Sequence, residues 1–204
     1  MAKNAKERKA IDEIFNDLTA LFRKTLQPTQ DREAVLLGAT ILDELLGRII
    51  EAFMIDNCKP VRELLGLEGG DRPLSTFASR IKAAFCFGLI SEKEFADIDT
   101  IRDIRNSFAH DLLGKSFGMP EMIHKVQSLR SLGNLKEISS QRVANEHFRA
   151  VIVALIALLT IRLRTAKGMQ RHPPKDIGCD ISQRRLVSTA DIIRGIAKEA
   201  IDQD

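Results

Sequence analysis

The side chains best suited to chemistry in this 204-residue sequence are an arginine and a histidine five positions apart. In the stretch RNSFAH, which runs from Arg105 to His110, the histidine could move a proton near neutral pH and the arginine could hold a phosphate. This combination suits RNA cleavage in which a 2′-hydroxyl attacks the adjacent phosphate. Arg105, Asn106 and His110 are therefore the candidate catalytic residues.

Helix geometry limits this chemistry. Five positions along an ideal helix give about 140° of rotation, so Arg105 and His110 cannot share one side of one helix. The two side chains could converge if the helix unwinds near His110, or if two copies of the chain meet across a dimer seam. The competing interpretation is that Arg105 and His110 have structural roles. The residue pattern, taken by itself, favours this interpretation.

The structural interpretation starts from the helix that carries the pair. Ser91 and Glu94 have the spacing of a capping box, and an apolar stripe follows, made of Phe95, Ile98, Ile101, Ile104, Phe108 and Leu112. Arg105 lies on this stripe, and a buried arginine requires a carboxylate partner because an unpaired charge out of water is costly. Asp43 occupies an otherwise apolar position of an earlier predicted helix. We therefore predict a structural ion pair between Asp43 and Arg105.

The remaining pattern predicts an all-α protein. Leu, Ile, Ala, Arg, Lys and Glu dominate, and Trp and Tyr do not occur. Apolar periodicity, caps, Gly and Pro predict helices near residues 7–26, 31–57, 60–67, 73–88, 91–112, 120–132, 141–167 and 188–201. We expect a helical bundle with antiparallel helix hairpins over residues 1–167. Residues 168–204 form a loop and a semi-detached C-terminal helix that packs on the bundle or extends from it.

A second candidate site is a basic region near the C-terminus. Between Arg162 and Lys198 there are nine basic residues and three acidic ones, whereas the whole chain carries a net charge of +3. Such asymmetry is compatible with phosphate contacts or with a solvated surface. The candidate nucleic-acid contacts are Arg162, Arg164, Lys167, Arg171, Arg184 and Arg185. Aromatic residues are not interleaved there, and the sequence contains no recognisable DNA-binding motif.

Other classes of function find no support in the sequence. Cys58, Cys86 and Cys179 are far apart and form no CxxC pair, and the four histidines are dispersed, so we predict no metal and no cofactor. The first ten residues are charged and do not resemble a signal peptide. The apolar run from Ala150 to Ile161 is shorter than the roughly 20 residues that a membrane span requires. We expect a cytoplasmic protein without a membrane segment.

The stretch PLSTFASRIKAAFCFGLISEKEFADIDTIRDIRNSFAHD, residues 73–111, resembles the mannitol operon repressor family of bacterial proteins. The features that match are Pro73-Leu74, Arg80, Lys82, Gly88, Ile90, Glu94, Asp97, Arg105 and His110-Asp111, together with the acid at Asp43. The resemblance implies a helical protein named for transcriptional repression. The first hypothesis is therefore a transcription-associated regulator that has no catalytic activity and acts through a protein partner.

The arginine–histidine spacing is also similar to that of HEPN domains, helical bundles that include ribonucleases of toxin–antitoxin systems. This weaker resemblance implies that Arg105 and His110 converge at a dimer interface. The alternative hypothesis is therefore a metal-independent endoribonuclease. A homodimer is expected under either hypothesis, because a helical bundle tends to bury its spare apolar faces.

Overall fold

A computed structural model describes residues 31–56, 59–66, 73–110, 114–133, 138 and 140–173. These residues form six helices and no strand: α1 (Asp31–Phe53), α2 (Lys59–Leu65), α3 (Phe77–Cys86), α4 (Glu92–His110), α5 (Pro120–Gln127) and α6 (Gln141–Gly168). The predicted all-α class is confirmed. The helices predicted near residues 7–26 and 188–201 lie outside the described residues.

The chain divides into two units, Met1–Arg171 and His172–Asp204. The six helices belong to the first unit. The predicted domain boundary after residue 167, and the semi-detached C-terminal helix beyond it, stay predictions.

Two long helices, α1 and α6, run side by side in the same direction. At their first turns Gln141 Nε2 donates to Asp31 Oδ2 at 3.0 Å, and at their far ends the Arg171 N–H donates to the Phe53 carbonyl at 2.9 Å. Between these points Gly38 lies against Ile152, so close that a Cβ atom at Gly38 would lie 3.2 Å from that side chain. Because α1 also packs against α2, α3 and α4, it is the central helix of the bundle.

The next two helices, α3 and α4, form the predicted antiparallel hairpin, and each begins with a cap. The Thr76 hydroxyl accepts from the Ser79 N–H at 3.1 Å. The Ser91 N–H donates to Glu94 Oε2 at 2.6 Å, and the Glu94 N–H donates to Ser91 Oγ at 3.3 Å, so the predicted capping box is confirmed. The turn between the helices uses Gly88 with φ of 69°, a left-handed conformation that suits glycine.

The predicted apolar stripe of α4 faces the core. Its members Ile98, Ile101, Ile104 and Phe108 are buried, Phe95 is partly buried, and Leu112 lies outside the described residues. A row of aromatic rings continues from Phe108 to Phe117 and then to Phe148 of α6, with centroid distances of 5.3 and 5.0 Å. The row connects α4, the segment before α5, and α6.

A buried carboxylate on α4 holds the segment that follows α5. Asp97 is 1% exposed, and its Oδ1 accepts from the Arg130 N–H at 2.9 Å while its Oδ2 accepts from the Ser131 N–H at 2.7 Å. The Ser131 hydroxyl donates to Oδ2 as well. Asp97 therefore satisfies two backbone donors at a turn outside any helix.

We predict that Asp97→Ala lowers the free energy of unfolding by about 3 kcal/mol, because partly buried backbone N–H groups lose their acceptor. Asp99→Ala is the matched control on the same helix. Its carboxylate pairs with Arg102 at a more exposed position, so that variant should lose less than about 1 kcal/mol. Urea denaturation measures both, and equal losses would contradict the role given to Asp97.

Candidate functional site

The three candidate catalytic residues lie on the last two turns of α4, and this part of the helix is called here the α4 edge (Arg105, Asn106 and His110). Arg105 and His110 are exposed, and Arg105 Nη1 donates to Asn106 Oδ1 at 3.0 Å. The helix continues through His110, so its backbone does not unwind before that residue. Within one chain Arg105 and His110 therefore do not converge. Their convergence across a dimer seam stays a prediction.

The predicted ion pair between Asp43 and Arg105 is wrong, because Asp43 pairs with a different arginine. Arg80 Nη1 lies 2.9 Å from Asp43 Oδ1, and Arg80 Nε donates to the Leu74 carbonyl at 2.8 Å. Both members of the pair are partly buried, with side chains 17% and 29% exposed. Arg80 thus links the middle of α1 to the segment before α3.

The lengths of α3 and α4 explain why Arg105 is exposed. The hairpin pairs a helix of ten residues with one of nineteen. Because both helices rise by about 1.5 Å per residue, the last two turns of α4 extend beyond the first residue of α3. Arg105 lies on this overhang and faces solvent, whereas Arg80 lies in the first turn of α3 and reaches Asp43.

The environment of Asp43 is that of a structural acid. Burial raises the pKa of its carboxyl group above the usual value, and the charge and hydrogen bond of Arg80 oppose that rise. The more distant charge of Arg105 also lowers this pKa. A Cβ at Gly47 would lie 3.4 Å from Arg80 Cζ, so the guanidinium group passes closely over α1 at a residue without a side chain.

Two of the basic residues predicted to contact nucleic acid interact with other parts of the bundle. Arg162 Nη2 lies 3.1 Å from Glu94 Oε2, and Arg171 lies over the Phe53 ring at 5.0 Å from its centroid. Arg164 and Lys167 are exposed on α6. Arg184 and Arg185 lie outside the described residues, and the nucleic-acid contact stays a prediction.

A polar network that the sequence reasoning missed joins the starts of α1 and α6. Asp31 Oδ2 accepts from the Phe117 N–H at 3.1 Å, and Asp31 Oδ1 accepts from the Asn145 amide, whose oxygen accepts from Arg149 Nε. Arg149 is 8% exposed; burial lowers the pKa of its guanidinium group, and the charge of Asp31 opposes this shift. The spacing of Asn145 and Arg149, one helical turn apart, was the available signal.

A buried histidine was also missed. His147 of α6 is 9% exposed, and its Nε2 has no hydrogen-bond partner among the described residues. Burial lowers the pKa of His147, while a hydrogen bond with the Leu129 backbone and the charge of Asp97 oppose that shift. Burial therefore favours the neutral form of the imidazole, within the range of the Asp97 charge.

Among the described residues, no group of three or more His, Cys, Asp or Glu side chains is placed to hold a metal ion. No described helix combines the length and the apolar character needed to cross a bilayer.

Comparisons with known proteins identify similar sequences and folds. A family model described as Mannitol repressor matches residues 25–170. Among solved structures, the chain is similar to one from the X-ray structure of the MtlR–HPr complex of Escherichia coli, with a TM-score of 0.57 and 16% identity. That match covers 74% of this chain and 98% of the other. A search of curated proteins finds no match.

We predict that Arg80→Ala lowers the free energy of unfolding by about 2 kcal/mol, because it leaves a partly buried carboxylate without its partner. Arg105→Ala is the matched control and should stay within about 0.5 kcal/mol of the wild type, since Arg105 is exposed. Chemical denaturation of both variants tests the assignment. A larger loss for Arg105→Ala than for Arg80→Ala would refute it.

Proposed function

Because the chain belongs to the Mannitol repressor family, we propose that it is a cytoplasmic, transcription-associated regulator that acts through a protein partner. The observation that carries this proposal is the family match over residues 25–170. The partner is suggested by the similar Escherichia coli protein, whose structure is that of a complex with HPr. We propose an HPr protein as the partner of this chain as well.

The α4 edge is the surface that we assign to the partner. Arg105 is exposed, so its charge is not needed to neutralise a core acid. Arg32 Nη2 donates to the Ala109 carbonyl at 3.5 Å, which brings a second guanidinium group to the last turn of α4. His110 is exposed at the same helix end. This concentration of donors and positive charge suits a partner surface that carries carboxylates.

We predict that the full-length chain binds its cognate HPr and that Arg105→Glu raises the Kd by at least about tenfold through charge repulsion. Isothermal titration calorimetry measures both affinities. The matched control is Arg130→Glu, which reverses an exposed arginine in the segment after α5 and should leave the Kd unchanged.

Two results would count against this assignment. If the wild-type chain does not bind HPr, the proposed partner is wrong. If Arg105→Glu binds as tightly as the wild type, the partner uses a surface other than the α4 edge.

The alternative function is a metal-independent endoribonuclease of HEPN type. The observation that favours it is the exposure of Arg105 and His110, because a purely structural arginine would be buried. In this mechanism His110 is the general acid or base and Arg105 binds the phosphate, with the two residues contributed by different copies of the chain.

This alternative predicts that the purified chain cleaves RNA without a metal ion and that His110→Ala abolishes cleavage. Incubation with total RNA in the presence of a chelator is the measurement. The control is His124→Ala, since His124 is an exposed histidine on α5. Intact RNA after incubation with a folded, dimeric chain would exclude the enzyme.

A further inference from the structure

One side of α6 is apolar and exposed. The outer α6 face consists of Ala150, Val153, Ala154, Ala157, Leu158 and Ile161, whose spacing of three and four places them on one side of the helix. Val153, Leu158 and Ile161 are 41%, 36% and 58% exposed, while Leu155 and Leu159 on the inner side are fully buried. Both the inner and the outer side of α6 are therefore apolar, but only the inner side is buried. Contiguous exposed apolar surface of this kind typically marks a site of interaction.

The two ends of this face differ in shape. Near its N-terminal end is a groove of about 530 Å³ lined by Leu132, Glu146, Arg149, Ala150, Val153 and Ala154. Near its C-terminal end Ile161 projects, with a larger exposed fraction than Val153 or Leu158. The face thus carries a shallow, open groove at one end and a projecting side chain at the other.

The same face is complementary to itself when two copies run antiparallel. If a two-fold axis passes between Leu155 and Ile156, Ile161 lies opposite Ala150 of the partner subunit, where the groove is. Val153 then lies opposite Leu158 of the partner subunit. Ala154 lies opposite Ala157 of the partner subunit, next to the axis, where small side chains allow the helices to approach closely.

The charges at the ends of the face agree with this pairing. Exposed Glu146, which also pairs with Arg142 of the same helix at 2.8 Å, follows the face toward the start of α6. Exposed Arg164 follows the face toward the end of α6. In the antiparallel arrangement Arg164 of the partner subunit lies opposite the residue that follows Glu146. The two opposite charges are therefore neighbours across the interface. Each interface would then contain two opposite-charge contacts, one on either side of the apolar centre.

We propose that the outer α6 face is the interface of a symmetric homodimer, with a second copy of this chain as its occupant. The pairing buries Val153, Leu158 and Ile161 of both subunits. It also has a consequence for the α4 edge. Since α4 packs on α1 and the outer face points away from α1, the Arg105 and His110 residues of the two copies do not meet at this seam.

The test is the mass of the full-length chain measured by sedimentation equilibrium over a range of concentrations. The wild type is expected to dimerise, and Ile161→Asp should raise the dimer Kd by about a hundredfold because it places a charge in the partner's groove. Ile161 is exposed, so this variant should fold normally, which circular dichroism checks.

Charge exchange tests the antiparallel register. Glu146→Arg and Arg164→Glu should each weaken the dimer by about tenfold, and the double variant should restore it, because the two contacts are re-formed with reversed sign. Glu51→Arg, a reversal at an exposed position of α1, is the control and should have no effect.

A wild-type chain that stays monomeric at every concentration would overturn the proposal. The interface lies elsewhere if Ile161→Asp dimerises as tightly as the wild type. It also lies elsewhere if the double charge variant has a dimer Kd no lower than that of the single variants.

Discussion

The parallel packing of α1 against α6 is the constraint on which the other helices depend. α1 contacts α2, α3 and α4 as well as α6, so each of these helices is positioned relative to it. Its residues Leu42, Leu46, Ile49 and Ile50 are fully buried, and each such side chain contributes roughly 1.5–3 kcal/mol. The close approach at Gly38 fixes how near the pair can come. A shift of α1 would therefore disturb its packing against four other helices.

Two buried acids, Glu94 and Asp97, and one partly buried acid, Asp31, connect parts of the bundle through hydrogen bonds. Asp31 binds the segment before α5 and the start of α6, Asp97 binds the segment after α5, and Glu94 binds Arg162 of α6. In each case a carboxylate on a helix accepts hydrogen bonds from another element. In the segments on either side of α5, these hydrogen bonds act together with the buried side chains of Phe117 and Leu129. The bundle therefore combines an apolar interior with polar connections at its edges.

Features that depend on residue spacing within one helix were predicted correctly from the sequence. Contacts that depend on the relative lengths of two helices were not. The capping box at Ser91 and Glu94, the buried stripe of α4 and the start of α6 at Gln141 all follow from spacing within one helix. The partner of Asp43 does not. The helical period predicts the side of α4 on which Arg105 lies. It does not predict that α3 is too short to cover Arg105. Likewise, periodicity could not tell that Ala150 to Ile161 has an inner side that is buried and an outer side that is exposed.

The shared direction of α1 and α6 separates the first residue of α1 from the residues that follow α6. Asp31 and Arg171 lie at opposite ends of a pair whose first helix has 23 residues, a distance of about 35 Å. An antiparallel pair would have brought these points together. In this arrangement the hydrogen bonds at Asp31 and at Arg171 fix opposite ends of the same helix pair, so each secures the register of α1 against α6 independently of the other.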